Sequence, residues 1–133
     1  MTRILLDTDV FSYFLRRDSR AERFRPFLAG REIVVSFQTV AELYRGAYER
    51  NWGELRMARL HRMLAATTVT PATVQVSLRW ARVMADSRRA GRPMGIQDAW
   101  IAATALIHGL PLLTNNRRDF EHIQGLSLPA PDQ

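Results

Sequence analysis

The chain contains no cysteine. This absence excludes disulfide bonds, zinc sites built from thiolates, and cysteine nucleophiles. It is consistent with a reducing compartment, and we expect the protein to act in the cytoplasm. Lysine is absent as well, so all 19 basic side chains are arginine. Domains that need a lysine beside an acidic phosphate site are therefore disfavoured.

Long apolar runs are also missing. The longest stretch without a charged side chain begins at Ala99, but Gly109 and Pro111 interrupt it. This predicts a buried helix followed by a strand rather than a membrane span. Asp7 interrupts the apolar start of the chain, so no signal peptide is expected. The length of 133 residues, with 47% hydrophobic and 24% charged residues, predicts one globular domain over residues 1–133.

The net charge is +6, and arginine carries all of the positive charge. The planar guanidinium group binds phosphate through two parallel hydrogen bonds, so an anionic polymer such as RNA is a reasonable partner. The competing explanation is that a bias in the source genome selects arginine on an ordinary solvated surface. The arginines expected to contact RNA lie close to two acidic residues discussed below: Arg88, Arg89, Arg92, Arg117 and Arg118.

Apolar and β-branched runs alternate with helical patterns along the chain. Strands are predicted at about residues 3–7, 32–36, 67–71 and 110–114, with 126–128 as a further edge strand. Helices are predicted at about residues 10–17, 19–29, 36–50, 54–66, 71–90 and 96–108. This order predicts an α/β fold in three layers, with a central, mostly parallel sheet of four or five strands flanked by helices. Such sheets bind ligands beyond the carboxyl ends of their strands.

Four acidic residues follow predicted strands or begin predicted helices: Asp7, Glu42, Asp98 and Asp119. Each has an ordinary structural explanation when it is considered alone. Asp7 suits a turn in which Thr8 or Asp9 caps the next helix, and Glu42 has a potential partner in Arg45. Asp98 suits the first turn of its helix. Asn116 and Asp119 have the spacing of a helix cap followed by an acid.

Together the four acids indicate a metal site. In a parallel sheet their positions converge on one edge, where carboxylates raise the pKa of one another unless a cation lies among them. Carboxylate oxygens suit Mg²⁺, with Mn²⁺ as a second possibility. His61, His108 and His122 lack the spacing of metal ligands, which argues against zinc.

The chain resembles PIN-domain ribonucleases, and most closely the VapC-type toxins of bacterial type II toxin–antitoxin pairs. The blocks "LLDTDVFSYFL", "VVSFQTVAELYRG" and "GIQDAWIAATALIHGLPLLTNNRRDF" follow that family's order over almost the whole chain. The resemblance implies a PIN-like fold and cleavage of RNA by a metal-activated water. It assigns catalysis to Asp7, Glu42, Asp98 and Asp119, the metal to Asp7, Asp98 and Asp119, and supporting roles to Thr8, Thr114 and Asn116. The sequence departs from the family at Asp9, where asparagine is commoner.

The same resemblance implies two protein partners, a second copy of the chain and a cognate antitoxin. Tyr44, Tyr48 and Trp52 recur every four residues along the helix that carries Glu42. Aromatic side chains are enriched at interfaces, so part of this stripe is a candidate contact with another chain. Packing into the protein's own core is the competing explanation.

Two other functions fit parts of the sequence. A haloacid-dehalogenase-like phosphatase would use Asp7 as nucleophile and Asp9 as acid and base, but it needs a lysine and a later pair of adjacent acids. A non-catalytic RNA-binding module would use the acids only as caps.

Overall fold

The computed structural model describes residues 2–130 of the chain, so the predicted domain over residues 1–133 extends slightly beyond the described residues at both ends. Within residues 2–130, four parallel strands form the central sheet: β1 (Thr2–Leu6), β2 (Arg31–Ser36), β3 (Thr68–Thr70) and β4 (Leu112–Leu113). Their order in the sheet is β3–β2–β1–β4.

Five α-helices flank this sheet: α1 (Thr8–Leu15), α2 (Phe37–Glu49), α3 (Glu54–Ala65), α4 (Val74–Arg89) and α5 (Ile96–His108). They correspond in order to five of the six predicted helices, and the prediction for residues 19–29 is the exception. Ser36 and Thr73 cap α2 and α4 by accepting hydrogen bonds from the backbone N–H groups of Thr39 and Val76, each 3.2 Å long. Gly109 ends α5 in the left-handed conformation, with φ of +63°, which glycine adopts without strain.

Side chains on alternate sides of the strands build two separate cores. Ile4, Leu6 and Val35 pack against α1, α2 and α3 on one face of the sheet. Leu5 and Val34 pack against α4 and α5 on the other face. The period of two along each strand sends successive residues to opposite faces, which is why continuous apolar runs mark these strands. The predicted three-layer α/β architecture is confirmed.

The strand order places β1 at a topological switch point. The chain moves outward from β1 to β2 and β3, and then returns to add β4 on the other side of β1. Leu5 and Leu6 pair with Leu112 and Leu113. The residues that follow β1 and β4 therefore lie side by side, at the crevice where open parallel sheets bind ligands.

Three predictions about local structure are wrong. Residues 19–29 form two short 3₁₀-helices, Ser19–Arg23 and Arg25–Phe27, because Pro26 cannot donate the backbone hydrogen bond that a continuous α-helix requires. Residues 126–128 are not a strand. The two-residue β4 offers this segment one bond, from the Leu112 N–H to the Ser127 carbonyl at 2.9 Å, rather than a ladder. The cap of α1 is Asp7, not Thr8 or Asp9.

The aromatic stripe of Tyr44, Tyr48 and Trp52, of which Trp52 lies beyond the end of α2, is partly packed in the core and partly exposed. Trp52 and Tyr44 pack against the α1–α3 side of the core, and the Tyr44 hydroxyl lies 2.6 Å from Nδ1 of His61. Tyr48 is 67% exposed. Of the three rings, Tyr48 alone offers a large surface to another chain.

Within residues 2–130, no helix combines the length and the apolar character needed to cross a membrane.

Candidate active site

Asp7 is held rigidly at the switch point. Its Oδ1 accepts a hydrogen bond from the Val10 N–H at 2.8 Å, which caps α1. Its Oδ2 accepts a bond from the Thr114 hydroxyl at 2.5 Å, across the gap between β1 and β4. Asp7 is only 5% exposed, so a carboxyl group that favours water is buried with both oxygens oriented.

Hydrogen bonds also connect the loop after β4 to the residues that follow β1. The Thr114 hydroxyl accepts a bond from the Asn116 N–H at 3.0 Å, and the Asn116 side chain donates to Asp9 at 3.1 Å. Asn116 does not cap the 3₁₀-helix Arg117–Asp119 with its side chain, contrary to the interpretation from spacing. Its amide is instead used to hold Asp9, which explains how an aspartate is accommodated at that position.

Glu42 is oriented by a chain of hydroxyl groups. Thr8 donates to Glu42 Oε1 at 3.0 Å. Because each hydroxyl has one proton, Thr39 then donates to Thr8 at 3.0 Å, and Ser36 donates to Thr39 at 3.4 Å. Arg45, the alternative partner of Glu42, pairs with Glu49 at 3.3 Å. Glu42 therefore points towards the end of β1 rather than along its own helix.

The acids influence each other electrostatically. Burial raises the pKa of Asp7 to about 6, and the charges of Asp9 and Asp98 add to this rise. Burial also raises the pKa of Asp98 to about 6, with further contributions from Asp119, Glu42 and Asp9. The pKa of Glu42 is raised by burial, against the effect of its bond from Thr8. Burial is the largest cause of these shifts, and the smaller contributions of neighbouring acids indicate that the carboxylates lie near one another.

The open acids lie in two neighbouring cavities. Asp98 and Asp119 line a crevice of about 440 Å³, which we call the acidic crevice. Glu42 and Asp9 line a second cavity of about 350 Å³. Asp7 lines neither cavity because its side chain is buried. Asp98 lies in the first turn of α5, where the exposed N–H groups of the helix favour its charge.

These acids fit a hydrated Mg²⁺ ion better than an ion enclosed by the protein. Within residues 2–130, no three acidic or histidine side chains come close enough together to hold a metal ion by themselves. Magnesium commonly retains several waters and takes only one or two carboxylates. The donors are hard oxygen atoms, which suit Mg²⁺ or Mn²⁺. Neighbouring acids add to the rise in the pKa of Asp7 and Asp98 that burial causes, and a cation would oppose that contribution.

The arginines predicted to contact RNA differ in whether their guanidinium groups already pair with other groups of the protein. Arg117 donates to the Leu128 carbonyl, and Arg89 lies 3.5 Å from Asp86. Arg92 donates to the Arg118 carbonyl at 3.2 Å, yet both residues also line the acidic crevice beside Asp98. Arg88 lies outside the crevice, next to Trp80 and Pro93.

Three residues that contribute to the site had not been recognised from the sequence. Thr39 connects Ser36 to Thr8, Gln97 lines the cavity that contains Glu42, and His122 lines the acidic crevice. The spacing of Ser36 and Thr39 indicates one helical turn and could have pointed to Thr39. Nothing in the spacing of Gln97 or His122 distinguishes them from other polar surface residues.

Comparison with known proteins identifies relatives of the whole chain. The model of the PIN domain family matches residues 4–126. Ribonuclease VapC1 of Haemophilus influenzae is 30% identical over 92% of both chains. The tRNA(fMet)-specific endonuclease VapC of Shigella flexneri is 29% identical over 95% of this chain and 96% of its own.

One solved structure is similar to this chain in both fold and sequence. It is VapBC-5 from Mycobacterium tuberculosis, described as a member of the VapBC family of toxin–antitoxin systems. The TM-score is 0.67 with 26% identity, and the match covers 96% of this chain and 94% of that one.

The raised pKa values predict how stability depends on pH in metal-free protein. Asp7 and Asp98 each have a pKa of about 6 in the folded protein, compared with the ordinary aspartate pKa of 3.8 in the unfolded chain. Between these values the folded state holds more protons, so stability falls as pH rises. We expect thermal melting in EDTA to give a lower melting temperature at about pH 8 than at about pH 5. In Asp98→Asn this fall should be smaller, and an equal fall would contradict the role given to Asp98.

Proposed function

The chain belongs to the PIN domain family, and on that premise we propose that it is a metal-dependent endoribonuclease that acts as the toxin of a toxin–antitoxin pair. The names of its relatives, a ribonuclease and an endonuclease, support the reaction class. The observation that carries the proposal is the grouping of acids around the end of β1, where parallel sheets bind ligands and where neighbouring acids add to the effect of burial on the pKa of Asp98.

We assign the metal to Asp7, Asp98 and Asp119, directly or through water, with Glu42 completing the acidic set. The ion is Mg²⁺, with Mn²⁺ as an alternative. When bound, it supplies an activated water and positive charge for the phosphate. The protein supplies fixed positions for these groups, which avoids the reorganisation that water would require.

The surrounding residues have supporting roles in this proposal. Thr114 and the Val10 N–H fix both oxygens of Asp7, so its carboxylate cannot rotate away. Thr8 orients Glu42, and Asn116 restrains Asp9. Arg92 and Arg118 lie in the acidic crevice, where their guanidinium groups can hold the phosphates of RNA beside Asp98.

The other functions considered are less well supported. A phosphatase would need Asp9 as a mobile acid, whereas its Oδ2 accepts a bond from Asn116. A non-catalytic RNA-binding module has no use for a group of carboxylates whose pKa values are raised by burial and by one another. Membership of the PIN domain family also favours the nuclease.

Two protein partners complete the proposal. The VapBC system of known structure supports a cognate antitoxin for this chain. We expect the antitoxin to place a basic side chain over the acids, so that it replaces the positive charge of the metal. We also expect a homodimer, for which the exposed Tyr48 is a candidate contact, and we expect the protein to act in the cytoplasm.

The first test concerns the metal. Titration of Mn²⁺ into wild type and Asp98→Asn, followed by calorimetry, should show weaker binding by the variant, because one negative charge is lost. Glu54→Gln is the matched control. Glu54 is exposed at the start of α3, and its substitution removes the same negative charge from a different part of the protein. It should bind like wild type. Equal binding by Asp98→Asn and wild type would exclude Asp98 as a ligand.

The second test concerns the reaction. Asp7→Asn keeps the shape of the side chain but removes its charge, and we expect RNA cleavage to fall by about 100-fold or more. Circular dichroism should show the variant folded. Products should carry 5′-phosphate and 3′-hydroxyl ends. Cleavage in EDTA, or 2′,3′-cyclic phosphate ends, would contradict a metal-activated water.

The third test concerns the partners. Light scattering of the purified protein should give the mass of a dimer, and co-purification with the product of the adjacent gene should give a larger, inactive complex. A monomer at high concentration would refute the dimer. A neighbouring protein that neither binds nor inhibits would refute the antitoxin, while leaving the nuclease proposal unaffected.

A further inference from the structure

A groove of about 780 Å³ lies beside the acidic crevice. It runs between α4, α5 and the segment that follows Asp119. Val83, Ile107 and Ile123 contribute apolar surface to it, and Arg79 and Arg82 contribute positive charge. His122 lines both the groove and the acidic crevice. We call this feature the α4 groove.

The His122 side chain lies at the boundary between the two cavities, and a hydrogen bond fixes its position. Its Nε2 lies 2.9 Å from the hydroxyl of Ser87, a side chain of α4 that is only 2% exposed. The segment that carries Asp119 is therefore attached to α4 at this point. A ligand that occupies the acidic crevice can continue past His122 into the α4 groove without crossing a separate part of the surface.

The charge of the α4 groove is not neutralised within the protein. Among the described residues, Arg79 and Arg82 make no hydrogen bond or ion pair. Asp86 also lines the groove, but it lies 3.5 Å from Arg89, which offsets its charge. Arg79 and Arg82 are exposed and lie one turn apart, so two guanidinium groups face the solvent on the same side of α4.

The basic surface continues into the acidic crevice. The groove-lining residues of α4 and its C-terminal cap recur every three or four positions from Gln75 to Ala90, a distance of about 22 Å along the helix axis. Arg92 lies two residues beyond this cap and lines the acidic crevice together with Arg118. Arginine side chains therefore extend from the acids along one side of α4.

We propose that the α4 groove binds the sugar–phosphate backbone of single-stranded RNA on one side of the phosphate that is cleaved. This inference rests on the proposed nuclease function. Arg79 and Arg82 bind phosphates, and the apolar surface of Ile107 and Ile123 contacts ribose and base faces. Contacts of this kind position an RNA without reading its sequence, so the groove contributes affinity and register.

The test is a binding measurement that does not depend on cleavage. In the Asp98→Asn background, fluorescence anisotropy is measured with a labelled single-stranded RNA long enough to cover both cavities. Arg79→Ala combined with Arg82→Ala should weaken binding by about tenfold at physiological salt, and should reduce the salt slope by about 1.4, or 0.7 for each contact. A trinucleotide that occupies only the acidic crevice should bind equally with and without the two substitutions.

The matched control removes two arginines from another helix. Arg56 and Arg62 are exposed on α3, outside the α4 groove, and Arg56→Ala with Arg62→Ala gives the same change in net charge. This control should retain the affinity and salt slope of the parent. An equal loss in both double variants would mean that net charge alone acts, and the proposal would fail.

One further outcome would overturn the proposal, namely unchanged RNA binding by the variant that lacks Arg79 and Arg82. If that variant then bound the antitoxin more weakly than the parent, the groove would be assigned to a protein partner. The proposed function is tested separately, because a wild-type protein that never cleaves RNA would refute the nuclease while the binding comparison still decides the role of the groove.

Discussion

The site depends on one buried hydrogen bond between the ends of two strands. Asp7 follows β1, Thr114 follows β4, and the 2.5 Å contact between them exists only because β4 returns to pair with β1. The same carboxylate caps α1 through Val10. One side chain thus joins the switch point of the sheet to the first helix. A substitution that removes both oxygens would lose the cap of α1 as well as the acid, whereas Asp7→Asn keeps the shape of the side chain and removes only the charge.

The cost of this arrangement is the repulsion between carboxylates. Burial and the neighbouring charges raise the pKa values of Asp7 and Asp98 to about 6, so the folded protein resists their ionisation. The hydroxyl chain from Ser36 to Thr8 stabilises the charged form of Glu42 but cannot neutralise it. A fold optimised for stability alone would not gather these groups. Their presence is explained if a cation binds among them, because it turns the repulsion into attraction.

The sequence predicted the parts of this structure that depend on local pattern. The strand ends, the cap at Ser36, the buried helix after Asp98 and the convergence of the acids follow from short-range rules. The hydroxyl chain could not be predicted, because Thr8 and Thr39 are 31 residues apart and meet only through the pairing of β1 with β2. The partner of Asn116 was missed for the same reason, since Asp9 is 107 residues away.

In the proposed function, the distribution of charge would link the metal to the RNA substrate. The chain carries a net charge of +6, yet its acids are concentrated where an RNA phosphate must approach. Arginines around the crevice attract a polyanion, while Asp98 and Asp119 repel the phosphate nearest to them. A cation at the acids removes this repulsion, and a bound phosphate adds negative charge that favours the cation. Each ligand therefore improves the binding of the other, a coupling that is reciprocal by thermodynamic necessity.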